Sequence, residues 1–345
     1  MVEGSLTGPH RPGEEGVLSI LGPDGKLQRP GKEIPLLDDR SALSAYRSMV
    51  LAREADDWAV SLNRQGRLGT YPPNRGQEAC SVGGLTAVRP DDWFVPAFRE
   101  LGGYIARGIP LERYYLYWYG NEIGSRLAPE TYRTMPLSIP VGSQALHAVG
   151  IARAERHLGS SRIALCFMGD GATSQGEVAE AFNLAGLWKA PAVFFIQNNR
   201  WAISVPVARQ TASGTLADKA LAYGFEGIRV DGNDLFAVYA AVFLAARRAR
   251  AGEGPTLVEG LTYRMGAHTT SDDPARYRPE EEVVEWEKKD PIARVEAYLT
   301  AGGLLTGEGA ARIRKEASRA SREAFRRAES LPDPGLEEVF AKTFR

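Results

Sequence analysis

Two short apolar runs, Ile163–Met168 and Ala192–Ile196, bracket the most regular part of the chain. The first ends in the turn Gly169-Asp170-Gly171 and the second in the pair Asn198-Asn199, with the 26 residues 172–197 between them. Glu177, Glu180, Asn183 and Lys189 alternate with apolar positions there on a helical period, so the pattern reads strand, turn, helix, strand. One crossover helix of this kind makes its two strands parallel and brings Asp170 and Asn199 out at their carboxyl ends. Residues 227–234 read as a third strand, Leu235–Ala251 as a long helix, and residues 255–264 as a fourth strand. Alternation of strand and helix predicts an α/β fold built on a doubly wound parallel sheet, whose ligands bind at the carboxyl edge.

Before this core, a helix capped by Asp38 or Asp39 carries Leu43, Tyr46, Met49, Val50, Ala52 and Trp58 at helical spacing. Residues 1–37 are rich in Gly, Pro and charge, with one alternating patch at Val17–Leu21, and predict an extended arm. Residues 110–137 hold a helix with Tyr114, Tyr115, Tyr117, Trp118 and Tyr119, followed by a loop. From Glu280 the chain reads as helical and highly charged. The expected division is an arm at 1–37, a main domain at 38–300 and a helical segment at 301–345.

Composition narrows the class. With 42 basic and 43 acidic residues the net charge is −1, which gives no long-range attraction to nucleic acid or an anionic membrane. Cys80 and Cys166, in segments read as buried, predict free core thiols and suit a reducing cytoplasm. The first residues lack the apolar stretch of a signal peptide, and no run approaches the roughly 18 apolar residues of a membrane span. The expectation is a soluble, cytoplasmic protein.

The chemistry sits at the two strand ends. A carboxylate and an amide oxygen are hard donors of the kind Mg²⁺ prefers, with water and phosphate oxygens completing the shell. Gly169 and Gly171 let the backbone turn and approach a diphosphate, and free amides at the start of the next helix add a positive end. Together these features predict a site for a metal diphosphate.

The stretches GDGATSQGE and QNNRWAIS resemble the alpha subunit of the thiamine diphosphate-dependent 2-oxo acid dehydrogenases. The resemblance implies Mg²⁺ held by the side chains of Asp170 and Asn199 and the main-chain carbonyl of Trp201. The family usually has Tyr or Phe at that last position, and a carbonyl ligand tolerates Trp. Gly171 and Ala172 would line the cofactor. In DDWFVPAFRE, Arg99 matches the arginine that grips the diphosphate, and Phe98 stands where Tyr is common, so a phenolic contact is missing. SIPVGSQALHAVGIA is similar to the segment beside the thiamine ring, which gives Ile139 and Val141 cofactor contacts. Branched-chain members bind structural potassium there, making Ser138, Pro140, Ser143 and Gln144 candidate K⁺ ligands. His147, in the same segment, reads as a structural histidine. His268 matches the histidine that reaches diphosphate and substrate, and is the candidate catalytic residue. Thr269 and Ser271 lie in a loop that is phosphorylated in animal relatives.

The family's pyrimidine-binding glutamate comes from a second chain. The resemblance therefore implies a beta subunit in an α₂β₂ heterotetramer, with the acyl group passing to a lipoyl domain of the acyltransferase component. SLNRQGRLG and QNNRWAIS favour pyruvate as the small-molecule 2-oxo acid, although Thr70 followed by Tyr71 departs from the usual aromatic there. SIPVGSQ and GAHTTSDDPARYR favour a branched-chain 2-oxo acid as the alternative, and acetoin dehydrogenase comes third. Intact Asp170, Asn199, Arg99 and His268 argue against a non-catalytic scaffold.

Overall fold

A computed structural model describes residues 16–28 and 34–337. Most of the expected arm, residues 1–15 and 29–33, and the last eight residues lie outside them. In chain order the strands are β1 (Val17–Leu18), β2 (Trp93–Val95), β3 (Ala164–Gly169), β4 (Ala192–Asn198), β5 (Trp201–Ala202), β6 (Val205–Pro206), β7 (Glu226–Asp231) and β8 (Thr256–Leu261). The helices are α1 (Asp39–Arg64), α2 (Glu78–Ala87), α3 (Leu101–Ala106), α4 (Leu111–Tyr119), α5 (Pro129–Tyr132), α6 (Ser143–His157), α7 (Gly176–Trp188), α8 (Leu235–Arg250), α9 (Glu280–Glu287), α10 (Pro291–Ala301) and α11 (Gly307–Glu329).

Six strands form one parallel sheet in the order β1-β7-β8-β4-β3-β2, and β5 and β6 form a separate antiparallel hairpin. The central strands β3 and β4 read as apolar runs because helices cover both faces. Ala164, Cys166 and Met168 of β3, with Ala192, Phe194 and Ile196 of β4, pack against α6 and α7. Their alternating neighbours Leu165, Phe167, Val193 and Phe195 pack on the other side against α2 and α8. Both cysteines are buried as free thiols, one in each layer.

The sequence expectations hold for the central elements. Asp38 caps α1, accepting from Ser41 N at 2.9 Å, and Asp234 caps α8, accepting from Phe236 N and Ala237 N. Two points differ. Val17–Leu18 is an edge strand paired in parallel with β7 and tied down by Asp234, whose Oδ2 accepts from Ile20 N and Leu21 N at 2.6 and 2.7 Å. It is part of the sheet rather than an arm laid upon it. His147 lies on the exposed face of α6, so it is not a structural core histidine. Among the described residues no helix is long and apolar enough to cross a membrane. The helix α11 packs its apolar stripe, including Ala317, Ala324 and Phe325, onto the body beside α1 and α4.

Candidate active site

A cavity of about 270 Å³ opens at the carboxyl ends of β3 and β4. Phe98, Arg99, Val141, Asp170, Gly171, Ala172, Asn199, Trp201 and His268 all line it; Ile139 does not and is exposed. These residues come from five separate segments, so the fold assembles the site that the motifs outline.

Asp170 opens a short 3-10 turn, Asp170–Ser174, and α7 starts only at Gly176. The turn, not a helix amino end, therefore supplies the first amides beyond β3. Neither Gly169 nor Gly171 is in the left-handed region. Gly171 is required by close packing, since a Cβ there would lie 2.6 Å from Cβ of Ala202 in the hairpin. After β4, Arg200 and Ile203 take positive φ (74° and 55°), which non-glycine residues rarely adopt, a β-branched one least of all. That strain sits on the loop holding Asn199 and Trp201, as strain often does at ligand sites.

Asp170 is buried, and its Oδ2 accepts from Gln210 Nε2 at 2.7 Å. Burial raises its pKa, opposed by the Gln210 bond and by the charge of Arg264. Asn199 Oδ1 accepts from Trp201 N at 3.2 Å, and Asn199 Nδ2 donates to Gln77 Oε1 at 3.0 Å. The Trp201 carbonyl accepts from Arg264 Nη1 at 3.0 Å and keeps a second lone pair.

Arg99 is buried and committed within the protein. Its Nη1 donates to the Pro73 carbonyl at 2.5 Å, and its Nη2 donates to the His268 carbonyl at 2.8 Å and reaches His268 Nδ1 at 3.2 Å. Arg264 Nη1 also reaches His268 Nδ1, at 3.3 Å. A guanidinium can only donate, so Nδ1 is the acceptor and the neutral ring carries its proton on Nε2. Burial and the two guanidinium charges push the imidazole pKa down to about 4. Burial also lowers Arg99, to about 10. Phe98 meets the His268 ring edge to face, with centroids 6.2 Å apart.

The loop beyond His268 is anchored at several points. His268 N donates to Asp272 Oδ2 at 2.9 Å, Thr270 N to the Tyr71 carbonyl at 2.8 Å, and Thr70 Oγ1 and Ser271 Oγ are 3.0 Å apart. Tyr71 turns away from the cavity into the core and donates its hydroxyl to Asp56 at 2.6 Å, so it does not narrow the pocket. In the potassium candidate segment, Ser138 Oγ and Ser143 Oγ are 2.7 Å apart and Ser143 Oγ donates to the Pro140 carbonyl at 2.9 Å. Gln144 turns inward and donates to the Phe167 carbonyl at 3.0 Å.

Several lining residues carry no role from the motifs, among them Gln77, Glu100, Gln197 and Arg264. Glu100 is buried, accepts from Gln197 Nε2 at 2.6 Å and from Arg99 N at 3.1 Å, and its pKa is pushed up to about 7 by burial. Arg264 could have been found in YRMGAH, four residues before His268, and Glu100 and Gln197 directly adjoin Arg99 and the asparagine pair; Gln77 leaves no comparable signal.

The arrangement suits a metal diphosphate. Asp170 is a buried carboxylate with no ion-pair partner among the described residues, beside two neutral oxygens from Asn199 and Trp201. Along the cavity, Gln77 Nε2 and Arg264 Nε are buried donors, and Gln144 Oε1 and Gln197 Oε1 buried acceptors, all without protein partners. Buried polar atoms of this kind ordinarily find a partner. Residues 46–337 match the family model described as the dehydrogenase E1 component.

The chain belongs to the dehydrogenase E1 component family.

Among its E1 relatives is the 3-methyl-2-oxobutanoate dehydrogenase subunit alpha of Mycobacterium tuberculosis, 45% identical over 327 residues, or 95% of this chain and 89% of the relative. The pyruvate dehydrogenase E1 component subunit alpha of Acholeplasma laidlawii is also 45% identical, over 323 residues and 93% of each chain. The Bacillus subtilis subunit of the same name is 41% identical over 300 residues, covering 87% of this chain and 81% of its own.

Proposed function

We propose that this E1 chain is the alpha subunit of a pyruvate dehydrogenase component, acting on pyruvate with thiamine diphosphate and Mg²⁺. The observation that carries the cofactor reading is the meeting of Asp170 and Asn199, from the ends of adjacent parallel strands, in one cavity with Arg99 and His268. Asp170, Asn199 and the Trp201 carbonyl hold the metal. Gly171 and Ala172 admit the diphosphate, and Phe98 and Val141 add apolar contact. Bound thiamine diphosphate supplies the electron sink for decarboxylation of a 2-oxo acid.

His268, with its proton on Nε2, would donate to an oxyanion of the bound cofactor or substrate. Arg99 and Arg264 keep that ring neutral and oriented, and Phe98 packs against it. The pyrimidine half of the cofactor is served by a beta subunit, giving an α₂β₂ assembly in the cytoplasm, and the acyl group leaves on a lipoyl domain. Ser138, Pro140, Ser143 and Gln144 would take a structural potassium ion, for which the grouped serine hydroxyls and Pro140 carbonyl offer oxygens.

A branched-chain 2-oxo acid is the second reading, favoured by the identity to the mycobacterial subunit. Dye reduction by the reconstituted pair, with pyruvate against 3-methyl-2-oxobutanoate, separates the two. A higher kcat/KM for pyruvate is expected; a preference for the branched acid would overturn the substrate assignment and leave the cofactor site in place.

A further inference from the structure

Gln77 occupies the N-cap of α2, a position where Asn, Asp, Ser or Thr would bond the first helical amides, yet its side chain makes no capping bond. Its backbone is fixed there, with Gln77 N donating to the Asn74 carbonyl at 2.9 Å and Cys80 N donating to the Gln77 carbonyl at 3.1 Å. The side chain instead turns into the cavity, where it is 1% exposed. A local preference set aside at a binding site points to a use elsewhere.

The hydrogen bonds say which way the amides face. Trp201 N is an obligate donor, so Asn199 must offer it Oδ1. Asn199 Nδ2 then faces Gln77, and the Gln77 atom that receives it must be the oxygen. The remaining Gln77 atom, Nε2, is a buried donor with no protein partner.

We propose that Gln77 is a positioning residue for the metal ligand Asn199 and at the same time a hydrogen-bond donor to the anionic diphosphate bound in the same cavity. Its Oε1 holds Nδ2 of Asn199 so that Oδ1 stays turned to the cation. Its Nε2 finds in a phosphate oxygen the acceptor that the protein does not supply. The inference rests on the reading of the cavity as a Mg²⁺ thiamine diphosphate site.

The test uses the full chain in complex with its beta partner and two variants. Gln77→Leu keeps the volume and removes both bonds; Gln77→Glu keeps an acceptor for Asn199 and removes the donor. Calorimetric titration measures thiamine diphosphate affinity at saturating Mg²⁺, and the Mg²⁺ concentration for half-maximal cofactor binding is measured alongside. For Gln77→Leu both should worsen, by about 10- to 100-fold, the value of a hydrogen bond to a charged group. For Gln77→Glu the Mg²⁺ requirement should stay near wild type while thiamine diphosphate affinity falls. This split separates positioning from a general structural role, and Gln77→Glu decides alone if the leucine variant does not fold. Unchanged thiamine diphosphate affinity in Gln77→Glu, or an unchanged Mg²⁺ requirement in Gln77→Leu, overturns the proposal. A wild-type complex that binds no Mg²⁺ thiamine diphosphate would instead overturn the cofactor reading beneath it.

Discussion

Asp170→Asn separates the proposed metal-binding role of this carboxylate from its cost to the fold. The substitution preserves volume, and an amide oxygen can still accept from Gln210, now at 2.7 Å from Oδ2. What the fold loses is the charge assistance of one hydrogen bond, ~1 kcal/mol. Against this stands relief of a buried carboxylate that has no ion-pair partner among the described residues and whose pKa burial raises. A carboxyl pKa raised by folding means that ionisation works against the fold once pH exceeds the unfolded value. At neutral pH the empty variant should therefore unfold at a temperature no lower than the parent. The ligand response should go the other way. Removing one partner of a buried ion pair costs ~3–5 kcal/mol, about 100-fold or more in affinity. A ligand at a hundredfold excess over the parent's Kd stabilises the parent by ~2.7 kcal/mol and a 100-fold weaker variant by only ~0.4 kcal/mol. Thermal unfolding with and without Mg²⁺ and thiamine diphosphate reads both effects. Equal ligand-induced stabilisation of parent and variant would refute Asp170 as a metal ligand.

Nitrogen NMR of labelled His268 should show a neutral ring with the proton on Nε2 down to about pH 5, because burial and the Arg99 and Arg264 charges set its pKa at about 4. Since that value lies below the unfolded one, the ring costs stability as pH falls from about 6.5 towards 4; titration near 6.5 would contradict the geometry. His268→Ala should leave thiamine diphosphate binding largely intact and depress turnover, which dye reduction with the assembled complex checks. Glu100→Gln should flatten the dependence of stability on pH between about 4.5 and 7, the interval over which a carboxyl raised to about 7 loses stability as pH rises. Arg99→Lys replaces the planar fork that serves the Pro73 and His268 carbonyls with a single, shorter-reaching ammonium. It should loosen the His268 loop in hydrogen exchange and lower kcat more than it lowers the unfolding temperature.

The sheet was legible because β3 and β4, covered on both faces, read as apolar runs closed by turn signals, and β7 and β8 flank a long helix at the spacing of the same alternation. The edges were not. Trp93–Val95 and Val17–Leu18 are too short to show a period, and they are strands because β3 and β7 offer them hydrogen-bonding edges. At the site, Asp170, Asn199, Arg99 and His268 stood out because each lies in a motif with its own chemistry. Gln77 and Glu100 act through contacts between segments far apart in the chain, Asn199 with Gln77 and Gln197 with Glu100. No local spacing encodes such contacts. His147 fell on an apolar helical pattern, but the stripe that α6 buries, Ala145, Ala148, Val149 and Ala152, passes beside it.

In the proposed function this chain supplies the metal–diphosphate half of a two-chain decarboxylase. The most direct measurement is release of CO₂ from pyruvate by the chain alone, by its beta partner alone and by the pair, each with and without Mg²⁺ thiamine diphosphate. Release is expected only from the pair with metal and cofactor present. Release by this chain alone, or by the pair without the cofactor, would contradict it.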